Sequence, residues 1–163
     1  MKYLEYSIER VSYKNHKDRR ILKTCLANWF KSPKALNFVA PSMSFPFSFS
    51  IWLNYYKKFS GISTFIAKHN NWIVGHISIR IDEDAKVAHL FHLFIAHQHR
   101  KKGLGEKMIQ IVEEHVLDIG VTSFSLYLVP KNEPAKMLYT KLGYKKDGIN
   151  HLGFIKYLKT KPN

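Results

Sequence analysis

The sequence predicts an α/β fold in which a sheet of about seven strands is flanked by about four helices. Three observations predict it. Short apolar or alternating runs, such as His89 to Ile95 (His-Leu-Phe-His-Leu-Phe-Ile), read as strands with one or both faces buried. Other stretches carry apolar residues at helical spacing. After Gly103 these are Leu104, Met108, Ile109, Ile111, Val112, His115, Val116 and Ile119, ending at Gly120. The two patterns fill 163 residues with no repeat, linker or low-complexity tract, as expected of one domain spanning residues 1–163.

The elements follow in order. Lys2 to Arg10 alternates and reads as a strand. Tyr13 to Phe30 places Ile21, Leu22, Cys25, Leu26 and Trp29 at amphipathic helix spacing. Lys31 to Ser48 holds Pro33, Pro41 and Pro46 and reads as a loop. Phe49 to Phe59, with Ile51, Trp52, Tyr55 and Tyr56, reads as a short helix. Ser63 to Lys68 and Trp72 to Ile81 form a hairpin around His69-Asn70-Asn71. Asp82-Glu83-Asp84 is a polar turn before the strand Val87 to Ile95. The long helix from Gly103 precedes a strand from Thr122 to Val129 and a short helix near Ala135 to Leu142. Asn132 is placed to cap that helix, Pro134 suits its first turn, and Gly143 suits the left-handed position that stops it. Strands from Tyr144 to Ile149 and from Leu152 to Leu158 close the chain.

Composition excludes several classes. Hydrophobic content of 45% is ordinary for a globular protein. No apolar run approaches the length of a membrane span, and Met1 to Tyr6 lacks a signal peptide's apolar core. The sole cysteine, Cys25, excludes an internal disulfide and reads as a buried structural thiol. These points lead to the expectation of a cytoplasmic protein with no membrane partner. Charge is the unusual quantity: 26 Lys plus Arg against 12 Asp plus Glu give +14. The excess is spread along the chain, so RNA, a ribosome or another anionic partner is an open expectation.

The densest chemistry lies in Gln98-His99-Arg100-Lys101-Lys102-Gly103-Leu104-Gly105, between a strand and a helix start. Glycines let the backbone approach a ligand, free N–H groups point outward, and the helix dipole favours negative charge. Three adjacent cations sharpen the preference, so the expected ligand carries phosphates. A dinucleotide-binding loop would need a third glycine where Met108 stands, and a Walker loop would need Lys where Glu106 stands. What remains is Arg100-x-x-Gly103-x-Gly105, which resembles the acetyl-CoA pyrophosphate loop of the GCN5-related N-acetyltransferase (GNAT) family. Val129 to Tyr144 resembles the C-terminal signature of the same family: a strand end, Asn132, and a short helix carrying Tyr139 before Gly143-Tyr144.

The resemblance implies a central, mixed, mostly antiparallel twisted sheet and an N-acetyltransferase that uses acetyl-CoA. The amine would attack directly in a ternary complex. Cofactor contacts are then expected from Leu93, Phe94 and Ile95 through their backbone, from Arg100, Lys101, Lys102, Gly103, Leu104 and Gly105, and from Asn132 and Tyr139. Tyr139 sits where the family places the tyrosine that protonates the leaving sulfur. His89 occupies the place of the family's usual strand glutamate, and His92 is its competitor as base. Strict alternation puts His89 with Phe91, Leu93 and Ile95 and turns His92 to the other face, which favours His89.

A metal site is not expected, because no HExxH or CxxC spacing accompanies the nine histidines. The acceptor is expected to be a primary amine of a small molecule or peptide, of apolar or aromatic character. Its pocket would draw on Phe38, Phe45, Phe47, Phe49, Trp52, Tyr55, Tyr56 and Trp72, with Pro41 to Phe49 as one wall, and on the last strands. A polyamine would be repelled by the net charge. Two other functions stay open: a basic enzyme acting on an RNA-linked amine, as aminoacyl-tRNA-directed toxins of the family do, and a non-catalytic CoA-binding regulatory module. Either a monomer or a homodimer is compatible with the sequence.

Overall fold

The computed structural model describes residues 6–161. Seven strands make one sheet: β1 (Tyr6–Val11), β2 (Ile62–His69), β3 (Trp72–Asp82), β4 (Val87–Ile95), β5 (Ser123–Leu128), β6 (Lys145–Ile149) and β7 (Ile155–Thr160). Their spatial order is β1-β2-β3-β4-β5-β7-β6. Every neighbouring pair is antiparallel except β4 and β5, which run parallel. Residues 2–5 of the expected first strand lie outside the described residues. Among those described, five α-helices flank the sheet: α1 (His16–Trp29), α2 (Pro33–Val39), α3 (Phe49–Lys58), α4 (Leu104–His115) and α5 (Glu133–Lys141).

Local chemistry explains the boundaries. Asn15, Ser32, Ser48 and Asn132 each accept an N–H of the first turn and so start α1, α2, α3 and α5. Asn70 and Asn71 both take left-handed φ angles, 48° and 72°, which closes the two-residue β2–β3 hairpin with the strands' own twist. None of the helices described is long and apolar enough to cross a membrane.

Three expectations need correction. The stretch expected to be a loop contains α2, which raises the helix count above the expected four. Pro33 stands at the start of that helix, where its missing N–H costs nothing, and Leu36 buries the helix against the core. The long helix stops at His115; Leu117–Ile119 is a separate 3-10 turn that ends at Gly120 in the left-handed conformation. Cys25 is only partly buried.

The sheet separates two cores. On one face α4 and α5 cover a largely aliphatic cluster that includes Ile77, Ile79, Leu90, Met108, Ile109 and Val112. On the other, α1, α2 and α3 cover an aromatic cluster around Tyr13, Phe30, Trp52, Tyr56 and Phe94. Alternation along β2 feeds both: Phe65 and Ala67 enter the first, Ile66 the second.

β4 departs from simple alternation. Its register against β3 shifts between His76 and Ser78, so Ile77 opposes two residues, and His92 takes φ 55°. This is a β-bulge with a left-handed histidine, a conformation that costs on the order of 1 kcal/mol and needs its surroundings to hold it. Trp52 stacks on the His92 ring at 3.9 Å between centroids, and the His76 Nδ1–H donates to the His92 carbonyl at 2.8 Å.

Candidate active site

Beyond the bulge the sheet opens. β4 and β5 pair only at Val87–Ser123, Ala88–Phe124 and His89–Ser125. From Leu90 onward, among the described residues, the β4 edge facing β5 has no strand partner, so its backbone groups, apart from the Ile95 carbonyl held by Arg100, are available to an extended ligand. A cleft of about 230 Å³ occupies this region. Its walls come from β4 and β5, from α2 and the segment after it, from α5, and from the loop between β6 and β7.

The cleft gathers many of the residues singled out by sequence. His89, His92, Leu93, Asn132 and Tyr139 all line it. The expectation that the two histidines point to opposite faces is overturned. The bulge inserts one residue and resets the alternation, so His89, Phe91, His92 and Phe94 all engage the aromatic side, while Leu90, Leu93 and Ile95 pack toward α4 and α5. Both histidines therefore reach the same space.

Their environments differ. His89 lies at the last ladder pair, with Nδ1 3.2 Å from the Ser125 hydroxyl. Burial and the nearby cations Arg80 and Lys156 lower its pKa to about 4. His92 is 7% exposed and its Nδ1 is 2.9 Å from the Tyr56 hydroxyl. Burial first, then His76 and His89, hold its pKa well below the usual range. In both rings burial favours the neutral imidazole.

Tyr139, 3% exposed, stands on α5 with its ring edge-on to Tyr144 at 5.2 Å. Burial, and secondarily the Glu113 carboxylate, push its phenol above the ordinary range, so it stays protonated. Among the described residues no protein group hydrogen-bonds its hydroxyl.

The glycine loop joins the end of β4 to α4, and none of its residues lines the cleft. Lys101 and Gly103 both adopt left-handed φ, 61° and 82°, which turns the chain so that α4 starts with no side-chain cap on its free N–H groups. A Cβ at Gly103 would meet nothing within 4 Å, so its φ and not crowding demands glycine there. Gly105 is different: a Cβ would come within 3.3 Å of Leu138, so glycine lets α4 approach α5. Leu104 is buried beneath the loop. Lys101 and Lys102 are exposed. Arg100 is engaged locally: its Nε–H donates to the Ile95 carbonyl at 2.7 Å and its guanidinium lies over the Phe94 ring. The Phe94 side chain turns away from the gap and stacks on Trp29.

The structure redraws the aromatic pocket. Phe38 and Tyr55 line the cleft, as do Pro41, Ser42 and Met43. Phe47, Phe49, Trp52 and Tyr56 belong to the aromatic core. Phe45 is 49% exposed and Trp72, at the hairpin, is 77% exposed; neither lines the cleft. The expected contribution of the last strands comes from Asn150, Leu152 and Phe154 of the β6–β7 loop, residues that sequence reasoning did not name. Among the described residues, no Asp or Glu lines it.

An open parallel joint beside a basic glycine turn suits a long phosphate-bearing ligand: unpaired β4 backbone for an extended arm, bare helix N–H groups and lysines for phosphates. Comparison with known proteins agrees. The model of the acetyltransferase (GNAT) family matches residues 26–144. A search of the curated proteins finds none that matches. Among solved structures, an acetyltransferase from Thermus thermophilus superposes with a TM-score of 0.75 at 18% identity, covering 99% of this chain and 100% of that one. A GNAT-family acetyltransferase from Streptococcus pneumoniae gives 0.73 at 20% identity, over 97% and 100%. PaiA N-acetyltransferase from Thermoplasma acidophilum, solved with coenzyme A, gives 0.70 at 18% identity, over 96% and 99%. With its fold shared end to end and the family's model matched across most of its length, the chain belongs to the GNAT acetyltransferase family.

Proposed function

We propose that the protein is an acetyl-CoA-dependent N-acetyltransferase whose acceptor is a primary amine of apolar or aromatic character, on a small molecule or peptide, attacking directly in a ternary complex. The observation that carries this reading is the joint between β4 and β5, where Tyr139 and both histidines line one cleft beside an unpaired strand edge. Acetyl-CoA supplies the activated acyl group. The β4 backbone at Leu93, Phe94 and Ile95 orients the extended arm. The N–H groups at Leu104 and Gly105, with Lys101 and Lys102, receive phosphate oxygens. The Arg100 guanidinium supports the strand end and the loop. Asn132, whose Oδ1 accepts the Ala135 N–H, holds the start of α5 and so the height of Tyr139.

An alkyl ammonium must lose a proton before it attacks. A neutral imidazole, His89 or His92, accepts that proton from within the cleft. Tyr139, kept protonated, donates to the departing sulfur. Phe38, Met43 and Tyr55 cover the acceptor's apolar part. A polycation is a poor acceptor, because the described lining holds no carboxylate and the chain carries +14.

The test is calorimetric titration with acetyl-CoA, followed by thiol release across a panel of 2-phenylethylamine, a peptide N-terminus, spermidine and aminoacyl-tRNA. Micromolar binding, turnover of the aromatic amine above spermidine, and a kcat about 100-fold lower in Tyr139→Phe are expected. Binding without turnover of any amine would leave a CoA-binding module, and turnover of aminoacyl-tRNA alone would move the acceptor to RNA.

A further inference from the structure

A row of buried polar groups crosses the sheet beneath α3, where aliphatic residues would otherwise pack. From the cleft inward, His92 Nδ1 is 2.9 Å from the Tyr56 hydroxyl, Tyr56 is 2.8 Å from the Ser78 hydroxyl, and Ser78 is 2.9 Å from the Thr64 hydroxyl. The row passes from β4 over α3 and β3 to β2. Thr64 and Tyr56 line a second, smaller cleft of about 100 Å³ beside β1 and the end of α3, with Arg10 and Lys14 among its walls. The other ring nitrogen of His92, Nε2, has no hydrogen-bond partner among the described residues, and His92 lines the acceptor cleft.

A neighbouring chain fixes the directions. Trp52 Nε1–H donates to the Tyr13 hydroxyl at 2.9 Å, the Tyr13 O–H then faces His76 Nε2 at 2.9 Å, and the His76 Nδ1–H donates to the His92 carbonyl. A carbonyl only accepts, so His76 carries its proton on Nδ1 and takes the Tyr13 proton on Nε2. That chain has one polarity. The row from His92 has two, because Tyr56 and Ser78 each hold one hydroxyl proton between two partners.

We propose that His92, Tyr56, Ser78 and Thr64 form a proton relay between the acceptor cleft and the second cleft. The proposal rests on the amine-acetylation reading. As the ammonium gives its proton to His92 Nε2, the Nδ1 proton moves to Tyr56, the Tyr56 proton to Ser78, the Ser78 proton to Thr64, and the Thr64 proton to water in the second cleft. Every group ends neutral, and the row has reversed its polarity. After product leaves, Nε2 releases its proton to cleft water and Nδ1 regains one along the reversed row. Burial keeps His92 neutral and holds the Tyr56 phenol protonated, so the charge passes through without residing on either. His89 has a single hydroxyl neighbour, Ser125, and two cations that oppose its protonation.

The experiment compares Tyr56→Phe, Ser78→Ala and Thr64→Val with wild type, using the best amine of the panel. Ser78 and Thr64 neither line the acceptor cleft nor hydrogen-bond to His92, so they separate relay from positioning. The relay requires kcat to fall about tenfold in each variant with the acceptor KM and the acetyl-CoA Kd unchanged. It also requires a curved wild-type proton inventory in mixed H2O and D2O that becomes linear in all three. A fall confined to Tyr56→Phe, with wild-type kcat and inventory in the other two, overturns the relay and leaves acetyl transfer standing. A wild type that binds no acetyl-CoA and turns over no amine overturns both.

Discussion

Both faces of the sheet are buried, and they are chemically unlike. The α4–α5 side is mainly Ile, Leu, Val and Met, and its ionic element is Glu113, held by the Tyr144 hydroxyl at 2.7 Å and by Lys159 at 3.0 Å. The α1–α3 side is built from Trp, Tyr, Phe and His whose polar atoms bond to one another. Aliphatic packing holds a backbone in place and does nothing with protons. Aromatic residues with a polar tip supply both contact area and a hydrogen-bonding end. On the proposed reading the first face positions the glycine loop, β4 and the acid Tyr139, and the second holds the histidines that take the ammonium proton.

That division can be broken most forcefully by truncation. Trp52→Ala removes the plate under His92 and should cost about 4 kcal/mol of stability, with Ile109→Ala on the opposite face costing about 3 kcal/mol. At a temperature where both variants are folded by circular dichroism, only Trp52→Ala should lower kcat. Equal loss of kcat in both would end the distinction.

Acid sharpens it. His76 is fully buried and its pKa is lowered to about 4, against an ordinary value near 6.5 in the unfolded chain. Between those values the unfolded chain takes up a proton that the folded chain refuses. Stability is therefore complete above about pH 6.5 and lost progressively as pH falls toward 4, by up to about 3 kcal/mol for this group. Denaturant melts at several pH values should show the loss, and His76→Gln should remove its own share and leave the part of the same sign that His89 and His92 contribute.

The smallest effects map the pocket wall. Met43→Ala should raise the acceptor KM about fivefold, the scale of a few lost methylenes, whereas Phe45→Ala should leave it unchanged because Phe45 lies outside the cleft.

Most of the architecture was legible because periodicity and caps are local signals. The hairpin at Asn70-Asn71, the helix beginning after Gly103 and the Asn132-to-Gly143 helix all stand where pattern places them. α2 was hidden because Pro33 was weighed as a breaker when it serves as a first-turn residue. The bulge at His92 was invisible because strict period-two counting has no term for an inserted residue, and one such residue reversed the relation of the two histidines. A faint signal of the buried row existed: His76 and Ser78 are polar residues two apart in the middle of β3, between Val74 and Ile79, so they share a face, and Thr64 is the register partner of Ser78.

The three-pair joint between β4 and β5 also has a mechanical side. Past His89, six residues, Leu90 to Ile95, extend from it, an arm of about 20 Å at roughly 3.3 Å per residue. Because Leu90 to Ile95 stays laddered to β3, the lever is the β1–β4 half of the sheet, with its fulcrum at His89 and Ser125. Turning it by about 5° moves the tip by about 2 Å, roughly a third of a strand spacing. A side chain altered at the fulcrum, far from the phosphate end, would be magnified there as a change in the width of the mouth.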